Sequence, residues 1–137
     1  MKWTLNYDGA LSIVALVFTG RNTGQDLRES TSEAIALGKR QGCLKFLVDA
    51  TDMELDATRF ELYDLPATQY RVENLDRRSR AALVLPKLPK ELEDAKFYET
   101  ACVNRGWRVK SFRTRDEAIE WLKGIDPSEA PTHATAD

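Results

Sequence analysis

Residues 2–18 read Lys2-Trp3-Thr4-Leu5-Asn6-Tyr7-Asp8-Gly9-Ala10-Leu11-Ser12-Ile13-Val14-Ala15-Leu16-Val17-Phe18. Trp3, Leu5 and Tyr7 alternate with Lys2, Thr4 and Asn6, the period of a strand with one buried face. Asp8-Gly9 signals a turn, and the run from Leu11 to Phe18 is apolar at both parities apart from Ser12. A strand apolar on both faces is one covered on both sides. The chain therefore opens with a hairpin whose second strand lies inside a layered α/β domain.

Further along, Gly20-Arg21-Asn22-Thr23-Gly24 is expected to end that strand, and Thr23 with Asp26 has the spacing of a capping box opening a helix. Leu27, Thr31, Ala34, Ile35 and Gly38 recur at helical spacing, and Gly42 is the natural stop. Leu44 to Val48 reads as the next strand, ending at Asp49 and followed by an acidic loop through Asp56. Thr58 and Glu61 form a second capping pair, and Pro66 divides the helix that follows into segments of about 58–65 and 66–73. Arg80 to Leu85 is a strand, and Leu88 to Arg105 a helix with Leu92, Ala95, Tyr98 and Cys102 on one face. Trp107 to Phe112 is the last strand, and Thr114 with Glu117 opens a helix that buries Ala118, Trp121 and Leu122.

The order β-β-α-β-α-β-α-β-α predicts an α/β fold with a five-stranded, mainly parallel sheet, an antiparallel first strand, and helices on one or both faces. Residues 1–125 form the expected domain; residues 126–137 carry no large apolar side chain and are expected to be a disordered tail.

The 137 residues carry 20 Lys plus Arg against 22 Asp plus Glu, for a net charge of −2. That balance excludes a dedicated nucleic-acid binder, which needs a strongly positive face. Cys43 and Cys102 are too few for a disulfide framework and lack metal-ligand spacing, so a reduced cytoplasm is expected. The longest apolar run, Ile13 to Phe18, is far shorter than a membrane span, and Met1-Lys2-Trp3-Thr4 lacks the apolar run of a signal peptide.

The order of elements resembles the STAS domain of bacterial anti-sigma-factor antagonists and sulfate-transporter tails. A nearer likeness is to the small bacterial proteins described as STAS-like or SpoIIAA-like, sometimes grouped with CRAL-TRIO lipid-transfer domains. It is carried by Phe60-Glu61-Leu62-Tyr63-Asp64-Leu65-Pro66, by Arg80-Ala81-Ala82-Leu83-Val84-Leu85-Pro86, by Lys96-Phe97-Tyr98-Glu99-Thr100 and by Asn104-Arg105-Gly106-Trp107-Arg108-Val109. The resemblance implies a STAS fold and a protein partner. Where the antagonists carry their phosphorylated serine, this chain has Ala57, with Thr58 one residue on and Arg59 in place of the glycine. The departure argues against a phospho-switch.

Among chemical motifs, the sole histidine, His133, falls in the expected tail, which removes histidine-dependent catalysis. The 20–24 turn lacks a Walker lysine and the spacing of a dinucleotide loop, so a capped turn explains it better than a nucleotide site. Asp49, Asp52, Glu54 and Asp56 are carboxylates that a hard cation could use, but they lack EF-hand spacing and its central glycine. The simpler reading is a solvated loop at a strand's carboxyl end, where ligands of open α/β sheets also gather. Arg71, Arg77, Arg78 and Arg80, with Lys87 and Lys90, concentrate positive charge around one strand. Such a patch engages acidic partners or phosphates, although a solvating surface is the commoner explanation. Cys102 on a buried face reads as inert packing. Of Phe97 and Tyr98, one aromatic is expected to be exposed as a contact surface.

The candidate interaction or ligand surface is therefore Asp49, Asp52, Asp56, Thr58, Tyr63, Arg77, Arg78 and Phe97. No catalytic set, cofactor or metal is expected. The leading expectation is a non-enzymatic regulatory or protein-interaction module. A carrier or sensor of a lipid or other small apolar ligand comes second, and an enzyme third. Trp3 and Tyr7 on a possible edge strand lead to an expected homodimer.

Overall fold

In a computed structural model that describes residues 2–124, the opening stretch forms the expected hairpin. Strand β1 (Trp3–Asp8) pairs antiparallel with β2 (Ile13–Thr23), from Trp3 opposite Phe18 to Asp8 opposite Ile13. Asp8 Oδ1 accepts the Leu11 N–H at 3.1 Å and closes the turn. Helix α1 (Gly24–Gln41) follows, then strand β3 (Lys45–Asp56), helix α2 (Arg59–Asp64), a π-helical turn (Leu65–Gln69) and a short α3 (Tyr70–Val72). Strand β4 (Arg80–Val84), helix α4 (Pro89–Asn104), strand β5 (Arg108–Phe112) and helix α5 (Arg115–Leu122) complete the order. The strands run β1-β2-β3-β4-β5 across one sheet, parallel from β2 onward. The expected tail and His133 lie outside the described residues.

Two segments expected to be loops are strand. Gly20–Thr23 continues β2 and Ala50–Asp56 continues β3, pairing from Thr19 opposite Asp52 to Thr23 opposite Asp56 after an irregularity beyond Val17. Their composition of Gly, Asn and Asp signals turns, yet each segment supplies the ladder partners of the other, and pairing overrides propensity. The fully buried Asn22 reinforces the extension, its amide donating to the carbonyls of Thr19 at 3.3 Å and Gly20 at 3.2 Å.

The capping boxes form at α1 and α2. Thr23 Oγ1 accepts the Asp26 N–H at 3.2 Å, and the Asp26 carboxylate accepts the Thr23 N–H at 2.8 Å. At α5 only half the motif is present: Thr114 accepts the Glu117 N–H at 3.2 Å. Pro66, which has no N–H to donate, is absorbed by widening one turn rather than breaking the helix, and the Tyr70 N–H reaches back five residues to Leu65 O.

Helices cover both faces unequally. Val14, Leu16, Phe18, Phe46 and Val109 pack against the layer of α1, α2, the π turn and α4. Ile13, Ala15, Leu47, Ala82 and Val84 are covered by Ala118, Trp121 and Leu122 of α5. Gly38 lets α1 approach the sheet, since a Cβ there would come within 2.7 Å of the Phe46 ring.

Candidate functional site

The π turn shapes the most distinctive surface of the molecule. Trp107 Nε1 donates to Pro66 O at 3.1 Å, satisfying a carbonyl in the widened turn. Tyr70, at its end, meets Trp107 edge-on with ring centroids 5.6 Å apart and shares a hydrogen bond with the Tyr98 hydroxyl. Burial pushes both phenols above their ordinary range, so the pair is neutral and locks the π turn to α4.

Between this turn and the C-terminal half of α4 lies a cleft of about 480 Å³, lined by Tyr63, Arg71, Arg77, Phe97, Thr100 and Arg105 among others. The Arg77 guanidinium sits 3.7 Å from the centroid of Trp107 and donates to Arg105 O at 2.7 Å. Arg105 in turn lies over Tyr63 at 4.9 Å and donates to its hydroxyl. Among the described residues no carboxylate forms an ion pair with Arg71, Arg77 or Arg105.

Of the candidate surface residues, Tyr63, Arg77 and Phe97 thus come together, joined by Arg71 of the basic cluster, and the other candidates do not. Arg78, next to Arg77, is held by Asp76 at 2.8 Å, and these hydrogen bonds bring the Asp76 carboxyl down to about 2. Arg80 lies on the other face, 4.3 Å over the Trp121 ring. The basic patch expected around β4 is therefore divided by the sheet.

The acidic stretch is likewise separated by the strand it forms. Asp49 faces α5, and the extra β3 residue at the irregularity resets the alternation, so that Asp52, Glu54 and Asp56 also point away from Met53 and Leu55, which pack in the α1 layer. Asp49 pairs with Arg115 at 3.0 Å, Asp52 with Lys87 at 3.1 Å and Asp56 with Arg21. The hydrogen bond from Arg21 holds the Asp56 carboxyl below its usual range. Asp49, Asp52 and Asp56 thus each have a cation of their own, and the described residues contain no His/Cys/Asp/Glu group of three or more that could hold a metal ion.

Thr58 performs the capping role expected of it. Its Oγ1 accepts the Glu61 N–H at 3.1 Å, and the Glu61 carboxylate accepts the Thr58 N–H at 2.9 Å. The exposed aromatic lies elsewhere than expected. Phe97 is half-buried beneath Arg59, 4.8 Å from its ring, and Tyr98 is tied to Tyr70, because α2 and the π turn cover that flank of α4. Phe60 is exposed instead, at 73%, with Tyr63 at 38% on the same face of α2. Its position off the stripe of Leu62 and Leu65 is the sequence signal that identifies it.

Two buried carboxylates also escaped the sequence reading. Glu91 accepts the Leu55 N–H at 2.9 Å, joining α4 to the end of β3. Asp94 accepts from Arg59 Nε at 2.9 Å and Lys90 Nζ at 2.8 Å. Burial opposes its ionisation, but the hydrogen bonds from Lys90 and Arg59 outweigh burial and hold its pKa below the usual value. Beneath α1 are two small hollows of about 80 and 70 Å³, which share Leu16, Thr31, Val48, Tyr70 and Tyr98 as lining.

No protein-family model matches the sequence, and no curated protein is significantly similar to it. Solved structures are similar in fold. The anti-sigma factor antagonist SpoIIAA in its unphosphorylated form matches with a TM-score of 0.55 at 16% identity, over 90% of this chain and 99% of that one. An uncharacterised protein from Shewanella loihica PV-4 with a SpoIIAA-like fold matches with a TM-score of 0.54 at 15% identity, over 88% and 91% of the two chains. The chain has a SpoIIAA-like fold, with β1 antiparallel and the remaining strands parallel.

Proposed function

We propose that the chain is a non-enzymatic regulatory or protein-interaction module of STAS-like type that docks its partner on the outer face of α2. The observation that carries this reading is Phe60, an aromatic side chain 73% exposed on a helix capped by Thr58 and pinned to α4 through Arg59 and Asp94. Tyr63 extends the same face, and Arg59 and Arg105 flank it. An aromatic centre bordered by arginines suits a protein surface with an apolar pocket and carboxylates at its rim. Similarity in fold to an anti-sigma factor antagonist supports a binding role. Burial holds the fully buried Cys102 thiol up at about 12, which suits packing rather than nucleophilic chemistry.

A lipid or other small apolar ligand is the second reading: the hollows beneath α1 have the apolar lining it needs but not the size. At about 80 and 70 Å³ each is well below the roughly 300 Å³ at which ligand pockets begin. Both cysteines are free thiols, which suits a reducing cytoplasm, and β1 at the sheet edge is where a homodimer would pair. In the described region no helix is long and apolar enough to cross a membrane.

Native mass spectrometry of the chain purified from its own host tests the reading. A stoichiometric polypeptide partner that Phe60→Ser removes, with the fold intact, is the expected result. A retained lipid mass with no polypeptide would favour the second reading, and bare chain alone would contradict both.

A further inference from the structure

We propose that the cleft between the π turn and α4 binds a small organic anion, a phosphate or carboxylate carried on a flat apolar ring. The charge of the cleft is the first reason. Arg71, Arg77 and Arg105 line it together, with no ion-paired carboxylate of the described chain to offset their mutual repulsion. Arg78 shows the contrast, since it is neutralised by Asp76 two residues away.

Preorganisation is the second. Arg77 is fixed by Trp107 and the Arg105 carbonyl, and Arg105 by Tyr63, so neither needs an acidic partner to be held in place. A guanidinium has five N–H donors, and these contacts leave several unspent for an oxyanion. Little side-chain entropy remains to be lost when one arrives.

Shape and lining supply the third. The volume of about 480 Å³ falls within the roughly 300–1,000 Å³ of small-molecule sites. Phe97, Pro66 and Ala101 give the apolar surface that a ring would cover, and Thr100 adds a hydroxyl. A bare inorganic ion would use the charge and leave this wall empty.

Titration of the ¹⁵N-labelled full-length chain with phenyl phosphate, inorganic phosphate and phenol, followed by amide and indole N–H resonances, tests the assignment. Expected are saturable shifts at Thr100, Gly106 and Trp107, with phenyl phosphate at least about tenfold tighter than either fragment. Arg71→Gln and Arg77→Gln should each weaken binding about tenfold or more, and Arg78→Gln should leave it unchanged. Should Arg77→Gln disturb the fold around Trp107, Arg71→Gln carries the test. Absence of saturation at millimolar phenyl phosphate, or equal loss with Arg78→Gln, would overturn the proposal. A phosphotyrosine peptide that binds at least about tenfold tighter, with shifts spreading to Phe60, would also overturn it by making the cleft part of the protein-docking face. Failure of the anion to bind leaves the docking role of Phe60 intact, because Phe60 does not line the cleft.

Discussion

Thr58→Ala separates a structural cap from a regulatory residue at the N-terminus of α2. The variant loses the 3.1 Å bond from the Glu61 N–H and keeps the 2.9 Å bond from the Thr58 N–H to the Glu61 carboxylate, which also lies 3.6 Å from Arg28. The site is exposed, so the orphaned N–H turns to water and the cost should be about 1 kcal/mol, mid-range for a lost cap. With an unfolding entropy of about 2.1 cal/mol/K per residue, a chain of this length should lose about 3–4 °C in Tm. Thr58→Ser and Thr58→Asp supply an equivalent acceptor and should recover most of the loss. A cycle with Glu61→Ala should show a coupling of about 0.5 kcal/mol or more. Urea unfolding followed by far-UV circular dichroism gives each value, with the slope unchanged. A stability loss below about 0.2 kcal/mol in Thr58→Ala, accompanied by loss of partner binding, would refute the capping account and make Thr58 a switch.

Trp107→Phe should cost about 1–3 kcal/mol in the same assay, because the buried Pro66 carbonyl loses its indole donor; a neutral substitution would show that the bond does not hold the π turn. Asp94 has a lowered folded pKa, so the stability it contributes is full above about pH 4 and is lost as pH falls through that folded value. Asp94→Asn should therefore flatten the acid limb of Tm against pH, and an unchanged limb would contradict the role given to Arg59 and Lys90. Cys102, fully buried with its thiol near 12, should resist iodoacetamide in the native protein and react in urea; rapid native labelling would place it at a surface.

The fold was legible where the physics is local. Alternation in Trp3 to Tyr7, the capping pairs at Thr23 and Thr58, and Gly42 in a left-handed conformation all do what their residue types require. What was not legible depends on pairing between distant segments. Neither Gly20–Thr23 nor Ala50–Asp56 looks like strand alone, and each becomes one because the other completes its ladder. The same holds for the surface. Arg77 and Arg78 are indistinguishable in sequence, yet one stacks on Trp107 in the cleft and the other closes on Asp76. Phe97 looked available until α2 and Arg59 covered it, leaving Phe60 outside.

Hydrogen–deuterium exchange of the purified complex against the free chain tests whether the exposed face of α2 receives a protein partner. Protection on binding should concentrate in residues 59–71, spanning α2 and the π turn, while the β3 face that carries Asp52 and Asp56 exchanges as before. Protection confined to β3 or to the edge strand β1, with α2 unchanged, would contradict the claim.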